Sequence, residues 1–138
     1  MRIARTCYDH LAGRSAVALL GALLERKALV RDDGRGDTAP VDGDPSAGPA
    51  RVVAYRLTEK GDAALGELGV VVGEGRRPLV KYCVDWTERR HHLSGRLGAA
   101  LLARFRELDW VRPGDGRSLV LTPAGRSGLH DLTGRDLD

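Results

Sequence analysis

The strongest constraint on this chain is that it resembles itself. His10-Leu11-Ala12-Gly13-Arg14 reappears as His92-Leu93-Ser94-Gly95-Arg96, and the register continues without gaps through Ala18-Leu19-Leu20 against Ala100-Leu101-Leu102 and Glu25 against Glu107. Eight of the twenty positions from His10 to Leu29 are identical at an offset of 82. Further on, Tyr55-Arg56-Leu57-Thr58-Glu59-Lys60-Gly61, followed by Leu65 and Leu68, matches Leu119-Val120-Leu121-Thr122-Pro123-Ala124-Gly125, followed by Leu129 and Leu132. A chain that repeats itself builds like units that bury their apolar faces against one another. With 138 residues there is room for one modest core and little else. The organisation this predicts is a first unit over 1–69, a linker over 70–78 and a second unit over 79–138.

Each unit reads as helix, polar hairpin, strand, helix. Leu11 to Arg26 and Leu97 to Leu108 are Ala/Leu-rich without internal Pro, which favours helix. Arg31-Asp32-Asp33-Gly34 and Arg112-Pro113-Gly114-Asp115-Gly116 carry turn chemistry. Val52 to Leu57 and Ser118 to Leu121 read as short strands. Thr58 and Thr122 then stand where an N-cap belongs, before short helices over Glu59 to Leu68 and Pro123 to Leu132. Leu79 to Arg90 is expected to add a helix between the copies. The first hairpin is inflated over 31–51 with Gly, Pro and Asp, a composition with little to bury, so a flexible inserted wing loop is expected there.

Net charge is +3, but 19 of the 22 basic residues are Arg in a chain also rich in Ala and Gly, so the sign alone says little. Its distribution says more. Residues 1–69 carry ten basic and ten acidic side chains, whereas Arg76 to Arg106 carries eight basic against two acidic, so an anionic partner should meet the second unit. No apolar run approaches membrane-spanning length and the opening residues lack a signal-peptide core, which predicts a cytoplasmic protein with no membrane partner. Two cysteines are too few for a disulfide scaffold and read as free thiols or metal ligands.

A helix ending in Leu-Leu-Glu-Arg-x-x-Leu-Val, then a hairpin and Tyr-x-Leu-Thr-x-x-Gly-x-x-x-Leu, resembles the back half of a winged helix-turn-helix. In that reading Asp9 to Gly13 and His91 to Gly95 occupy the first helix of each motif. Ala4-Arg5-Thr6-Cys7-Tyr8-Asp9-His10-Leu11-Ala12-Gly13, with Cys83-Val84-Asp85-Trp86-Thr87-Glu88-Arg89-Arg90-His91-His92-Leu93-Ser94-Gly95, resembles the C-terminal half of ArsR-type winged-helix transcriptional regulators. The resemblance covers nearly all of the chain outside 31–51. It implies an α+β, mainly helical fold of two pseudo-repeated, degenerate winged-helix units packed together. It also implies a sensing and dimerising regulator half, without the N-terminal winged helix that precedes this motif in the group. One departure is Ser15-Ala16 in the first copy, where the group tends to have the Leu-Gly that the second copy keeps as Leu97-Gly98.

A recognition helix presents polar side chains to base edges and cations to phosphates. Ala16 to Leu24 has no polar side chain, so the first copy reads as a core or subunit-interface helix, which points to a homodimer. In the second copy Arg96, Arg104 and Arg106 lie on or beside the equivalent helix, interleaved with Leu101, Leu102 and Phe105; DNA contact through this unit is the alternative to a solvated basic face.

Three chemistries suit the remaining residues. Cys7 and His10, three apart on the expected helix, together with Cys83 and His92 could hold zinc or another divalent ion, with Asp85 and His91 as further donors. Tyr8, Asp9, His10, Asp85, Trp86, Arg89 and His92, with Glu88, could line an inter-repeat cavity for a small-molecule effector; the bland alternative is a salt-bridge network of Asp9 or Asp85 with Arg89 or Arg14. Cys83, Asp85 and His92 could serve as nucleophile, acid and base, but no motif specifies a reaction and an enzyme is the least favoured class. The expectation is a ligand-sensing and dimerising regulator domain binding a small molecule or metal between its repeats.

Overall fold

The computed structural model describes residues 4–136; Met1-Arg2-Ile3, part of the opening expected to lack a signal-peptide core, lies outside them. In chain order the elements are strands β1 (Ala4–Cys7) and β2 (His10–Ala12), helix α1 (Arg14–Glu25), strands β3 (Leu29–Arg31), β4 (Gly48–Ala50) and β5 (Tyr55–Leu57), and helix α2 (Glu59–Leu68). Then come strands β6 (Lys81–Val84) and β7 (His91–Ser94), helix α3 (Gly95–Glu107), strands β8 (Val111–Pro113) and β9 (Ser118–Leu121), and helix α4 (Pro123–Thr133). The fold is α+β, as expected, but not mainly helical: among the described residues four helices pack with nine short strands in three antiparallel sheets.

The largest correction concerns the residues expected in the first helix of each helix-turn-helix. Asp9 to Gly13 and His91 to Gly95 are not helical up to the glycine; they enter β-hairpins. Tyr8-Asp9 closes a two-residue turn, with Tyr8 in the left-handed region at φ 57°, and pairs Arg5 with Ala12, Thr6 with Leu11 and Cys7 with His10. The predicted helix over Leu79 to Arg90 is likewise strand β6, whose Lys81, Tyr82, Cys83 and Val84 pair with Ser94, Leu93, His92 and His91. Helix propensity is a weak prior, and a ladder partner a few residues away overrides it here. The helices then start at Arg14 and Gly95, after the backbone has turned through Gly13 and Gly95 at φ 90° and 76°.

The sheets interleave the two halves of the chain. One has the order β2-β1-β9-β8, so the first hairpin shares a sheet with the last; a second, β4-β6-β7, joins the inserted segment to the other hairpin, and β3 pairs with β5. At the centre β2 lies beside β7, while α1 packs chiefly on β7 and α3 chiefly on β2. Leu19, Leu20, Leu23 and Leu24 of α1 are buried with Leu93, Leu97, Leu101, Leu102 and Phe105 in one core. The apolar character of α1 is thus accounted for within the chain.

The recurring Thr-x-x-Gly has a plain physical basis. Thr58 and Thr122 cap their helices by accepting the N–H of Gly61 and Gly125. Their hydroxyls donate to the carbonyls of Lys27 and Asp109, both at 2.6 Å, residues that sit in the left-handed region at φ 62° and 57° just after α1 and α3. The glycines let the helices approach: a Cβ on Gly61 would lie 2.2 Å from the Ala28 carbonyl oxygen, and one on Gly125 would lie 2.0 Å from that of Trp110.

Segment 31–51 is not a bare loop. The Arg31 side chain, fully buried, donates to Asp33 and to the carbonyls of Asp37 and Ala39. The Asp44 carboxylate accepts from the Tyr82 hydroxyl at 2.6 Å and from His91 Nε2 at 2.7 Å, and the His91 N–H donates to the Thr38 carbonyl. Composition hides these anchors because they depend on single residues meeting β6 and β7.

Candidate metal centre

The two hairpins place a cysteine opposite a histidine twice over: Cys7 faces His10 across β1 and β2, and Cys83 faces His92 across β6 and β7. Because β2 and β7 are neighbours, the two pairs meet. One donor atom from each of Cys7, His10, Cys83 and His92 lies within 4.8 Å of all the others. His10, Cys83 and His92 are buried and Cys7 is half-buried. In a tetrahedral site with Zn–N of ~2.05 Å and Zn–S of ~2.3 Å, ligand atoms stand roughly 3.3–3.8 Å apart, so the cluster is within about 1 Å of that size.

Carboxylates fix both rings. His92 Nδ1 lies 3.0 Å from Asp85 Oδ2, and His10 Nδ1 lies 3.4 Å from Asp9 Oδ1. An ionised carboxylate only accepts, so Nδ1 carries the proton in each ring and Nε2 is left for the cluster. The two Nε2 atoms are 3.1 Å apart. In two neutral rings these would be lone pairs aimed at each other, an arrangement that requires a proton or a metal ion between them.

Asp85 is the hub. Besides His92 it accepts from the N–H of Gly13 at 2.7 Å, from Thr87 Oγ1 at 2.8 Å, from the Thr87 and Glu88 N–H groups, and from Arg5 at 3.2 Å. Burial opposes its charge, but these donors outweigh burial and hold its pKa far below the carboxylate range. Its bond to Gly13 also puts a negative charge at the N-terminus of α1, where the helix dipole favours it. Arg77 holds the Asp9 pKa down. The Cys7 thiol is pushed far down, first by its hydrogen bond with Cys83 and then by those with His10 and His92; Cys83, beside that thiolate and buried, is pushed up. The His92 pKa is raised, its bonds to Asp85 and Cys7 outweighing burial.

Over 130 aligned residues the chain is 32% identical to a protein named as the uncharacterized HTH-type transcriptional regulator YdfF of Bacillus subtilis (strain 168), an alignment covering 91% of this chain and 49% of that protein. Its homologue is a transcriptional regulator. The chain spans about half the length of this curated relative. No protein-family model matches the chain, and no solved structure matches it. Among the described residues no helix is long and apolar enough to cross a membrane.

The other expected site residues are dispersed. Tyr8 and Trp86 stand exposed at the two hairpin tips, Tyr8 under Arg77 and Trp86 under Arg5, and the groove that Trp86 lines includes neither Tyr8 nor His10 nor His92 in its lining. Arg89 is exposed; its N–H donates to the Asp85 carbonyl, and the partner of the Asp85 carboxylate is Arg5. His91, next to His92, faces the opposite side of β7 by strand alternation and bonds Tyr55 and Asp44. Of the arginines expected on DNA, Arg96 donates to the carbonyls of Arg77 and Gly73 and Arg104 to that of Leu68, while Arg106 is exposed. Arg96 and Arg104 therefore hold the 70–78 segment and the end of α2. Spacing alone did not reveal the cross-strand pairing or the role of Arg5. The signal was present in two Cys…His-Leu-x-Gly runs, Cys7 to Gly13 and Cys83 to Gly95, which differ by six residues of turn.

Proposed function

We propose that this chain is the metal-sensing part of a transcriptional regulator, with one zinc-class ion held by Cys7, His10, Cys83 and His92. The observation that carries the reading is the convergence of two imidazole Nε2 atoms, each ring fixed by a carboxylate, on two thiols in one buried cluster. Two thiolates and two imidazoles are the donor set of a closed, tetrahedral structural zinc site rather than of a catalytic one, which keeps a position open. The Cys83, Asp85 and His92 set therefore supports metal holding better than turnover: Asp85 orients His92 toward three other donors, while a surface groove of about 450 Å³ is lined by other side chains. The regulatory half of the proposal is supported by the homologue's name. A cytoplasmic setting would keep both thiols reduced and available.

Elemental analysis of the purified protein tests this. One zinc per chain, lost in both Cys7→Ser and Cys83→Ser, is expected. Cobalt substituted for zinc should give the intense visible bands of a tetrahedral ion with a thiolate charge-transfer band. Substoichiometric metal together with weak octahedral cobalt bands would refute the site.

A further inference from the structure

A second site lies against the far side of Asp85. Arg5, Arg14, Arg117, Trp86, Thr87 and Glu88, with Ala4 and Ser118, line a groove of about 450 Å³ between the 85–90 turn, the start of α1 and the edge where β1 meets β9. That volume lies within the range of small-molecule sites. Three guanidiniums stand against the Glu88 carboxylate and that of Asp85, which is paired with Arg5, so the groove keeps one positive charge in excess. Its aromatic wall is Trp86, 63% exposed in a chain with only six aromatic residues.

The wall is held in place. The Arg5 guanidinium lies over the Trp86 ring at 5.9 Å and is itself fixed by hydrogen bonds to Asp85 and Thr87, both at 3.2 Å. Asp85 also ties this turn to the N-terminus of α1 through Gly13. An indole preset beside guanidiniums offers a flat apolar surface and a counter-charge together, a combination that recognises a planar ring bearing an anionic group. Neither a neutral aromatic nor a small aliphatic anion uses both.

We propose that this groove binds a small aromatic carboxylate, its ring against Trp86 and its carboxylate on Arg14 and Arg117. The inference does not depend on a metal ion, because none of these residues is among the four donors. The test uses the full chain, stripped with a chelator and labelled with 15N, titrated with benzoate while the two indole N–H signals are followed; Trp86→Phe assigns them. Benzoate should move the Trp86 signal saturably and leave that of Trp110, half-buried and stacked on Phe105 away from this groove, in place. Arg117→Gln and Arg14→Gln together should weaken the effect by about tenfold or more, since each removes a charge-assisted contact. Both arginines are exposed, and an unmoved Trp110 signal checks that the variant is folded. Equal shifts with benzyl alcohol or acetate, a shift that does not saturate, or a shift indifferent to the double substitution would overturn the proposal. So would a duplex DNA that moves the Trp86 signal when benzoate does not, which would give the groove to a phosphate backbone.

Discussion

Removing one thiolate from the cluster separates a metal ligand from a buried small hydrophobe. Cys83 is the residue to change, because it is 4% exposed and Ser is nearly isosteric. An ion that binds the folded chain and not the unfolded one stabilises it by RT ln(1 + [M]/Kd), about 4.1 kcal/mol at a thousandfold excess over Kd. For 138 residues an unfolding entropy of ~2.1 cal/mol/K per residue gives ~290 cal/mol/K, so each kcal/mol moves the melting temperature by ~3.4 °C. Wild-type protein in buffered zinc should therefore melt ~14 °C above the same protein in chelator. In chelator, Cys83→Ser should melt only ~3–7 °C below wild type, the cost of about 1–2 kcal/mol for a hydroxyl in a thiol's place. Zinc should then add little to it. The measurement is differential scanning calorimetry on both proteins, each with and without chelator. A zinc shift of equal size in Cys83→Ser and Cys7→Ser would place the ion elsewhere, and no shift in wild type would remove it.

Asp85→Asn keeps the shape of the hub and removes its charge; metal affinity should fall 10–100-fold in a competition titration, and chelated protein should lose about 3 kcal/mol, read as ~10 °C in melting temperature. Asp44 gives a pH signature. Burial raises its pKa, but hydrogen bonds from Tyr82, the Val41 N–H and His91 outweigh burial and lower it below the ordinary 3.8. A carboxylate depressed on folding contributes stability that is complete above pH ~5 and is lost as the pH falls through 3.8 toward the folded value, so the urea midpoint should fall over that window in wild type and less steeply in Asp44→Asn. Gly125→Ala drives a Cβ into the Trp110 carbonyl and should cost about 2–3 kcal/mol, whereas Gly66→Ala in α2, with nothing within 4 Å, should add about 0.5–1 kcal/mol; chemical denaturation of both variants reads the contrast.

Local signals were legible where the chain carries its own punctuation. The Thr-x-x-Gly caps, the helix over Glu59–Leu68 and the strand over Ser118–Leu121 stand where propensity and capping chemistry put them. What was not legible was the pair of hairpins β1–β2 and β6–β7, where a pairing partner overrides helix propensity. Cys7-Tyr8-Asp9-His10 has no turn dipeptide of the Asn-Gly kind, and only the ladder from Arg5–Ala12 to Cys7–His10 makes Tyr8 adopt φ 57°. The donor set Cys7, His10, Cys83 and His92 was named from residue type, but on a helical spacing. The geometry that unites it is cross-strand, and the six extra residues before His92 break the 82-residue offset just at the cysteine. Trp86 was legible as a rare aromatic beside charges, while Arg5 and Arg117 were not, because β1 meets β9 only in the folded chain.

The packing of the helices gives the cluster a lever. Each half of the donor set belongs to one hairpin, yet α1 packs chiefly on the hairpin of His92 and α3 on that of His10. Gly98 of α3 reinforces the crossing: a Cβ there would meet the Leu93 carbonyl at 3.0 Å and the His10 Cβ at 3.3 Å, so the helix rests against the ligand strand itself. A tetrahedral ion, with donor atoms roughly 3.3–3.8 Å apart, would draw in the donors that stand up to 4.8 Å apart and spread the two Nε2 atoms from 3.1 Å, so the two hairpins would adjust against each other. Close-packed interiors transmit such displacements rather than absorb them. If the proposed ion binds, the strand that moves under each helix is the one contributed by the other half of the chain, and occupancy is expected to change how α1 and α3 sit on β7 and β2. Asp85, bonded at once to His92 and to the first turn of α1, adds a direct connection between ligand and helix. The proposed site would report metal through helix position without either helix carrying a ligand.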